Sequence, residues 1–519
     1  MEEDIEELVK TSTRGSIIIL AGQISSTLVL AIGMLLVAKF LGPSNYGSFN
    51  KALSILQIAF LIMNLGISSS LTKLIAQYRH ENKPGTIKIL VETGVIISFL
   101  VSIFMTLVVY GTSGYVAKRI FFEPEQQRYI QVLSFGLVGQ ALITVSSGIV
   151  IGYERMELRS IQYFVYSFLK SIISPVLIFL GYGTLGAVIG HTTPILLSGV
   201  LGVLCIWLVY SPQSRTVSDF RHIDAAKMIF TYGFPIYLSI ILTGILPHFY
   251  TTLLSLWVSN ENIGNYSIVL YFGVLLSFVI VPITTAIFPL FSKLEKSQSI
   301  LEVLYINSVK CSTLFAFPIA FTIMALADQI IWVLFQGQYT SASHYLRLYM
   351  LIYVFIGLGG VSNGPLLNSQ KRTDITFRTS LIQFMIAFPL NFYLIPRFGV
   401  VGQLFALFLV GGINTVLNLI SIRKIFGFNI DSIFFVKILG ISIFSYIVVF
   451  ILFKRLTFYP MIELVAGGLL SLLIYLVGFF SLNVFTQHDF IFLRKISDSL
   501  GPFSHIVIYL LDLMNCENS

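Results

Sequence analysis

The stretch IKILVETGVIISFLVSIFMTLVVY, residues 87–110, decides what kind of protein this is. Its two charges, Lys88 and Glu92, lie near its first end, and nothing from Thr93 to Tyr110 is charged. A helix rises about 1.5 Å per residue and a bilayer core is roughly 30 Å thick, so about 20 apolar residues are enough to cross it. The apolar run is continuous, not alternating, which predicts a helix and excludes a strand of an outer-membrane barrel. Comparable runs occupy 16–40, 46–78, 126–152, 161–180, 185–210, 228–258, 263–291, 303–327, 345–368, 375–395, 400–422, 433–453 and 459–485. The expectation is an all-α membrane protein with about 14 transmembrane helices.

Composition agrees. Of 519 residues, 56% are hydrophobic and 11% charged, against about 25% charged in soluble chains. A net charge of +8 suits loop charge and a cationic interior, with no nucleic-acid partner. Cys205, Cys311 and Cys516 are far apart and lack CxxC spacing, so neither a disulfide framework nor a metal site is implied. The acidic start MEEDIEELVK is unlike a cleaved signal peptide, which leaves targeting to the first span. Counting alternate loops, Arg79, Lys83, Arg155, Arg159, Lys371, Arg372, Arg423 and Lys424 gather on one side. By the positive-inside rule that side is cytoplasmic, with both termini, in a multi-pass cell (plasma or inner) membrane protein. Residues 491–514 are apolar but interrupted by charges and Gly501-Pro502, as in a helix lying on the membrane.

The two halves echo each other. Gly47 and Gly264 are 217 apart, Lys10 and Lys227 are 217 apart, and Gly183/Gly399, Gly186/Gly402 and Arg155/Lys371 are each 216 apart. Six helices per repeat is an even number, so both copies enter from the same side. The lobes are then related by a pseudo-two-fold along the membrane normal, as in transporters that bind substrate between two rocking halves. The expected organisation is an N-lobe of six helices (1–215), a C-lobe of six (216–430), an extra C-terminal helix pair (431–486) and an interfacial segment (487–519).

Several phrases carry a family resemblance. Leu41-Gly42-Pro43-Ser44-Asn45-Tyr46-Gly47 resembles the "LGP-x-x-YG" junction of polysaccharide-biosynthesis membrane proteins. Tyr232-Gly233-Phe234-Pro235, Ile263-Gly264-Asn265-Tyr266, Phe335-Gln336-Gly337-Gln338-Tyr339 and Leu394-Ile395-Pro396-Arg397-Phe398-Gly399 resemble later motifs of the same proteins, in order. The chain resembles Wzx-type oligosaccharide flippases of the multidrug/oligosaccharidyl-lipid/polysaccharide exporter superfamily. That resemblance implies flipping of a polyprenyl-linked oligosaccharide from the cytoplasmic to the outer leaflet for cell-surface polysaccharide or glycan biosynthesis. It also implies partnership with membrane lipid and with glycosyltransferases or a polymerase of the same pathway. Many relatives have an acidic residue where this chain has Tyr250.

Flipping makes no bond; its barrier is carrying a pyrophosphate and a hydroxyl-rich glycan through hydrocarbon. A hydrated cationic cavity would lower it, so inward polar stripes matter. Span two offers Gln57 and Asn64 with Lys51 beside them; span five offers Tyr163 and Lys170; span one offers Gln23, with Arg14 at its mouth; span seven offers Tyr237. Lys310 is a further cationic candidate. Such stripes are also common as plain helix-packing surfaces, but a mid-membrane lysine is functional by default. His248 and His191 are candidates for coupling to H+; Na+ is the other coupling ion considered, and no further cofactor is expected. Gly181-Tyr182-Gly183-Thr184-Leu185-Gly186 fits GxGxxG but follows a membrane helix, which suits a turn and no dinucleotide. The competing readings are a cation-coupled small-molecule exporter of the same superfamily and, with weaker support from the short outer loops, a membrane glycan polymerase or ligase. No catalytic residue is assigned, and the chain is read as a transporter and not an enzyme.

Overall fold

The computed structural model describes residues 2–210, 220–293, 298–456 and 458–482. The interfacial helix expected at 491–514 lies outside the described residues. Helices account for the structure, and there are no strands among the described residues. They are α1 (Glu2–Met63), α2 (Ile67–His80), α3 (Pro84–Tyr115), α4 (Gln126–Ser134), α5 (Gly136–Gly152), α6 (Met156–Leu177), α7 (Gly183–Tyr210) and α8 (His222–Leu254). Then follow α9 (Asn260–Lys293), α10 (Gln298–Ala325), α11 (Ala327–Phe335), α12 (Ala342–Met350), α13 (Asn363–Ser369), α14 (Thr373–Phe426), α15 (Ser432–Arg455) and α16 (Pro460–Ser481).

The helices are inside out. On α3, Ser98, Ser102, Thr106 and Ser113 are buried while Phe99, Leu100, Ile103, Phe104 and Leu107 are exposed. That arrangement is stable only where the surroundings are apolar, because in water the exposed face would be the one driven inward. By length and apolarity eight stretches among the described residues qualify as spans, or nine with the bent pair Ala342–Leu358 and Asn363–Ser369. Those criteria do not by themselves reach fourteen. Three of the eight, however, run for 54 to 56 residues, about 80 Å if straight, and each contains a glycine at positive φ. Gly42 (φ 70°), Gly181 (φ 90°), Gly183 (φ 52°) and Gly399 (φ 56°) turn the chain where the sequence places junctions between successive spans.

The second span, expected as one run over 46–78, is instead broken. Residues after Gly42 continue helically to Met63, Asn64 to Gly66 unwind, and α2 resumes at Ile67. Leu65 (φ 47°) and Gly66 (φ 71°) are both left-handed. The cause is the close passage of α8: a Cβ on Gly66 would overlap the carbonyl of Gly233, and one on Gly233 would lie 2.9 Å from the carbonyl oxygen of Gly66. A carbonyl at the break needs a donor, and Tyr237 supplies one, its hydroxyl donating to Ile62 O at 2.8 Å. Ser70 adds a bond to Ile229 O at 2.8 Å. The tenth span is likewise bent, by 44°, where Gly359 (φ 79°) ends the segment Leu351–Leu358.

Two compact units divide the chain: Met1–Tyr271 with Leu390–Gln403, and Phe272–Pro389 with Leu404–Ser519. In the first, Leu71, Ile75, Leu90, Ile149, Ile206 and Ile229 form a core joining α2, α3, α5, α7 and α8. The repeat boundary expected near 215 falls inside this unit, so it contains the start of the second repeat. There the repeats touch reciprocally. A Cβ on Gly47 would overlap the carbonyl of Asn260, and a Cβ on Gly264 would overlap the carbonyl of Pro43. Since 264 − 47 and 260 − 43 are both 217, this is one contact made twice about a local two-fold axis. In the second unit, Phe291, Leu301, Tyr305, Leu366 and Ile422 form one core. The extra helix pair docks through another, in which Val449 and Phe453 pack on Ala325 and Leu326.

Candidate functional site: a buried lysine without a carboxylate

On α6, Ile161, Phe164, Phe168, Ile172 and Val176 are exposed, whereas Gln162, Ser167, Lys170 and Ser174 are buried. Small residues hold that polar face at backbone distance from α1 and α7. Ser171 donates to Val29 O at 2.8 Å, Gly33 lies directly on Ser171, and Gly190 lies directly on Ser174. Lys170 is enclosed between these helices at 6% exposure.

The lysine's surroundings are aromatic and hydroxylic. Its Nζ is 3.4 Å from the Tyr166 hydroxyl and 5.7 Å from the centre of that ring. Tyr271 and His191 are its other electrostatic neighbours, with Tyr46 adjoining Tyr271. His191 is edge-on to Phe49, the ring centres 5.9 Å apart. Ser167 Oγ and His191 Nδ1 have no hydrogen-bond partner among the described residues. No carboxylate among the described residues lies within ion-pair distance of Lys170. A buried charge is ordinarily paired, and a central lysine costs at least about 3 kcal/mol on insertion scales. An enclosed cation beside unfilled polar atoms is therefore suited to receiving an anion. The feature is not duplicated: 217 residues after Lys170 and Lys51 stand Ala387 and Ile268.

The other sequence candidates scatter. Lys51 is buried at 2% exposure but belongs to a separate cluster, its Nζ 2.9 Å from Glu123 Oε1 and over the Phe121 ring. Lys310 is ion-paired with Asp431 at 2.9 Å, fastening α10 to the start of α15, where Asp431 also accepts from Phe434 N at 3.0 Å. Tyr237 bonds the α1 break as described. Asn64 lies in that break and, with Ser68, Ser98 and Thr144, lines a cavity of about 10 Å³, room for one water. Gln57 is half-buried, Tyr163 is exposed beside Tyr166, and His248 is half-buried on α8. The side chains of Arg14 and Gln23 lie outside the described residues. Sequence reasoning placed Ser167 on the same polar face as Lys170 but missed Tyr166 and Tyr271 around it. Tyr166 is one helical turn away and was findable by its i−4 spacing; Tyr271 comes from a distant helix and was not.

Residues 12–295 match the family described as polysaccharide biosynthesis protein, and residues 233–478 match that described as lipid II flippase MurJ. A Haloferax volcanii protein named as a probable low-salt glycan biosynthesis flippase, Agl15, is 24% identical over 174 residues, covering 32% of this chain and 35% of that protein. A Shigella dysenteriae protein named as an O-antigen transporter is 23% identical over 198 residues, covering 37% of this chain and 49% of that protein. The chain thus spans between a third and a half of the length of these curated relatives. A solved structure of lipid II flippase MurJ in an inward closed conformation superimposes with a TM-score of 0.74 at 16% identity, over 92% of this chain and 99% of that one. That likeness establishes an all-helical membrane-transporter fold, and the match over more than half of the sequence establishes the lineage: the chain belongs to the polysaccharide biosynthesis protein family of membrane proteins.

Proposed function

We propose that the protein flips a polyprenyl-linked oligosaccharide across the membrane by alternating access. The observation that carries this reading is Lys170, a cation buried inside an inside-out bundle with no carboxylate among the described residues to neutralise it. The substrate's pyrophosphate would supply the missing charge. The phenols of Tyr166 and Tyr271, the Ser167 hydroxyl and the His191 imidazole offer hydrogen bonds and flat apolar faces that suit a glycan next to it. The names of the two curated relatives and the MurJ fold favour the same substrate class. On this reading the basic loops face the cytoplasm, release is to the outer leaflet, and the enzymes that assemble or polymerise the glycan are the natural partners.

The test is a reconstituted flipping assay with a fluorescent lipid-linked oligosaccharide in proteoliposomes. Lys170→Ala is expected to lower the flipping rate at least tenfold while insertion and melting temperature are retained. Absence of flipping by the wild-type protein across several polyprenyl-linked glycans, or an undiminished rate in Lys170→Ala, would overturn the assignment. Varying pH and Na+ in that assay identifies the coupling ion. If it is H+, His248 is the better placed histidine, being half-buried where His191 is enclosed against Phe49.

A further inference from the structure

The reciprocal glycine contact lies at the helix ends next to the basic-poor loops. Gly47 Cβ, if present, would lie 2.9 Å from Gly264 N, and Gly264 Cβ 3.1 Å from Gly47 N; nothing larger than backbone fits between. Between the glycines such a seam is held by dispersion and weak Cα–H···O contacts, without interlocking side chains. At the glycines themselves a carboxylate fastens it, and two turns inward Thr252 Oγ1 donates to Ser54 Oγ at 2.8 Å. Glu123, in the segment between α3 and α4, accepts at Oε1 from Lys51 Nζ at 2.9 Å, within its own repeat. The same oxygen accepts from Asn260 Nδ2 at 2.9 Å, across the seam in the other repeat. Gln126, bonded to Ser48 Oγ at 2.7 Å, steadies the second carboxylate oxygen at 3.1 Å. The bridge is one-sided, because residues 339 and 340, at the repeat offset from Glu123, are Tyr339 and Thr340.

We propose that Glu123 is the detachable clasp of the outer gate, holding the glycine seam shut by bridging buried Lys51 to Asn260 of the opposite repeat. This rests on the transport reading and on the basic-poor side being outward. Parting the seam leaves the Glu123–Lys51 pair intact; of the bonds to Glu123 it breaks the one from Asn260. Glu123 is 35% exposed and meets water at once, so no charge is stranded as the gate opens. Lys51 thereby acquires a role different from substrate binding: it anchors the clasp to its own repeat.

The test reads the gate and not the transport. Ser54, 4% exposed and accepting from Thr252 Oγ1 at 2.8 Å, lies two turns inward of Gly47. In the full-length protein with its three native cysteines replaced by alanine, Ser54→Cys is labelled with a membrane-impermeant maleimide applied from outside. Labelling is expected to be slow, and on the order of tenfold faster with Asn260→Ala, the loss of one hydrogen bond to a charged group. It should be faster still with Asn260→Asp, which places two carboxylates together. In the Ser54→Cys protein, bridging Glu123→Cys to Asn260→Cys with a disulfide-forming bis-methanethiosulfonate before the maleimide is applied should stop labelling at position 54, and reduction of the bridge, followed by removal of the reductant, should restore it. Unchanged labelling in folded Asn260→Ala and Asn260→Asp, or labelling undiminished in the bridged protein, overturns the clasp. Neither result requires a substrate, so a failed flipping assay leaves this inference standing or falling by itself.

Discussion

At the scale of single residues, two buried lysines meet opposite fates. Lys51 has a carboxylate at 2.9 Å and Lys170 has none among the described residues. Replacing an unpaired buried cation by an isosteric apolar chain removes a desolvation cost, whereas breaking a pair leaves its partner unsatisfied. Lys170→Met is accordingly expected to stabilise the detergent-solubilised protein by about 1–2 kcal/mol while abolishing flipping. Lys51→Met should destabilise it by about 1 kcal/mol, since Glu123 retains two amide donors and some water. Thermal melts of the purified variants decide it; equal losses in both would mean that Lys170 has a structural partner. Glu123 also gives the pair a pH signature. Partial burial pushes its carboxyl up, but the bonds from Asn260, Lys51 and Gln126 outweigh this and leave it below its ordinary value. Its contribution is thus complete above the unfolded carboxylate value of about 4.3 and fades as pH falls through the lower folded one. Near neutral pH the clasp is fully charged.

At the scale of elements, glycines decide where the long helices stop, for two distinct reasons. Gly42 has φ 70° with nothing within 4 Å of where a Cβ would be, whereas Gly66 has φ 71° and the backbone of Gly233 against it. Gly42→Ala should therefore cost only left-handed backbone strain, about 1–2 kcal/mol. Gly66→Ala must in addition push α8 away and is expected to prevent recovery of folded protein. Size-exclusion profiles of the two variants check this, and equal yields would show that α8 gives way freely. The contrast also marks how far the sequence could be read. Inside-out periodicity and the glycine-rich junctions were visible as patterns, because lipid imposes them on every helix. The unwinding at Asn64–Gly66 was not, since no charge or proline interrupts 52–72 and the break is imposed by a helix about 170 positions further along the chain. The site shows the same limit. Lys170 stands out in any apolar run, but Glu123 sits in a short loop with no periodicity, so nothing local connects it to Lys51.

At the scale of the whole molecule, the reciprocal contact constrains topology more tightly than counting apolar runs. Gly47 and Gly264 begin equivalent helices and touch through equivalent atoms, so the helix ends that carry them lie on the same side of the membrane. The number of crossings between them must then be even, whatever the fate of any single ambiguous span. Arg79 and Lys83 fall at the far end of the span that Gly47 begins, and basic loops are retained in the cytoplasm. Single cysteines at exposed Glu125 and Glu261 in a cysteine-free background should react with an impermeant thiol reagent on intact cells. Cysteines at exposed Lys83 and Lys371 should react only after permeabilisation. A uniformly reversed pattern would invert the protein, and with it the direction in which the seam opens, while keeping the symmetry. Glu125 and Glu261 on opposite sides would make the crossing number odd, and two like-oriented repeats could then no longer account for a contact that is made twice.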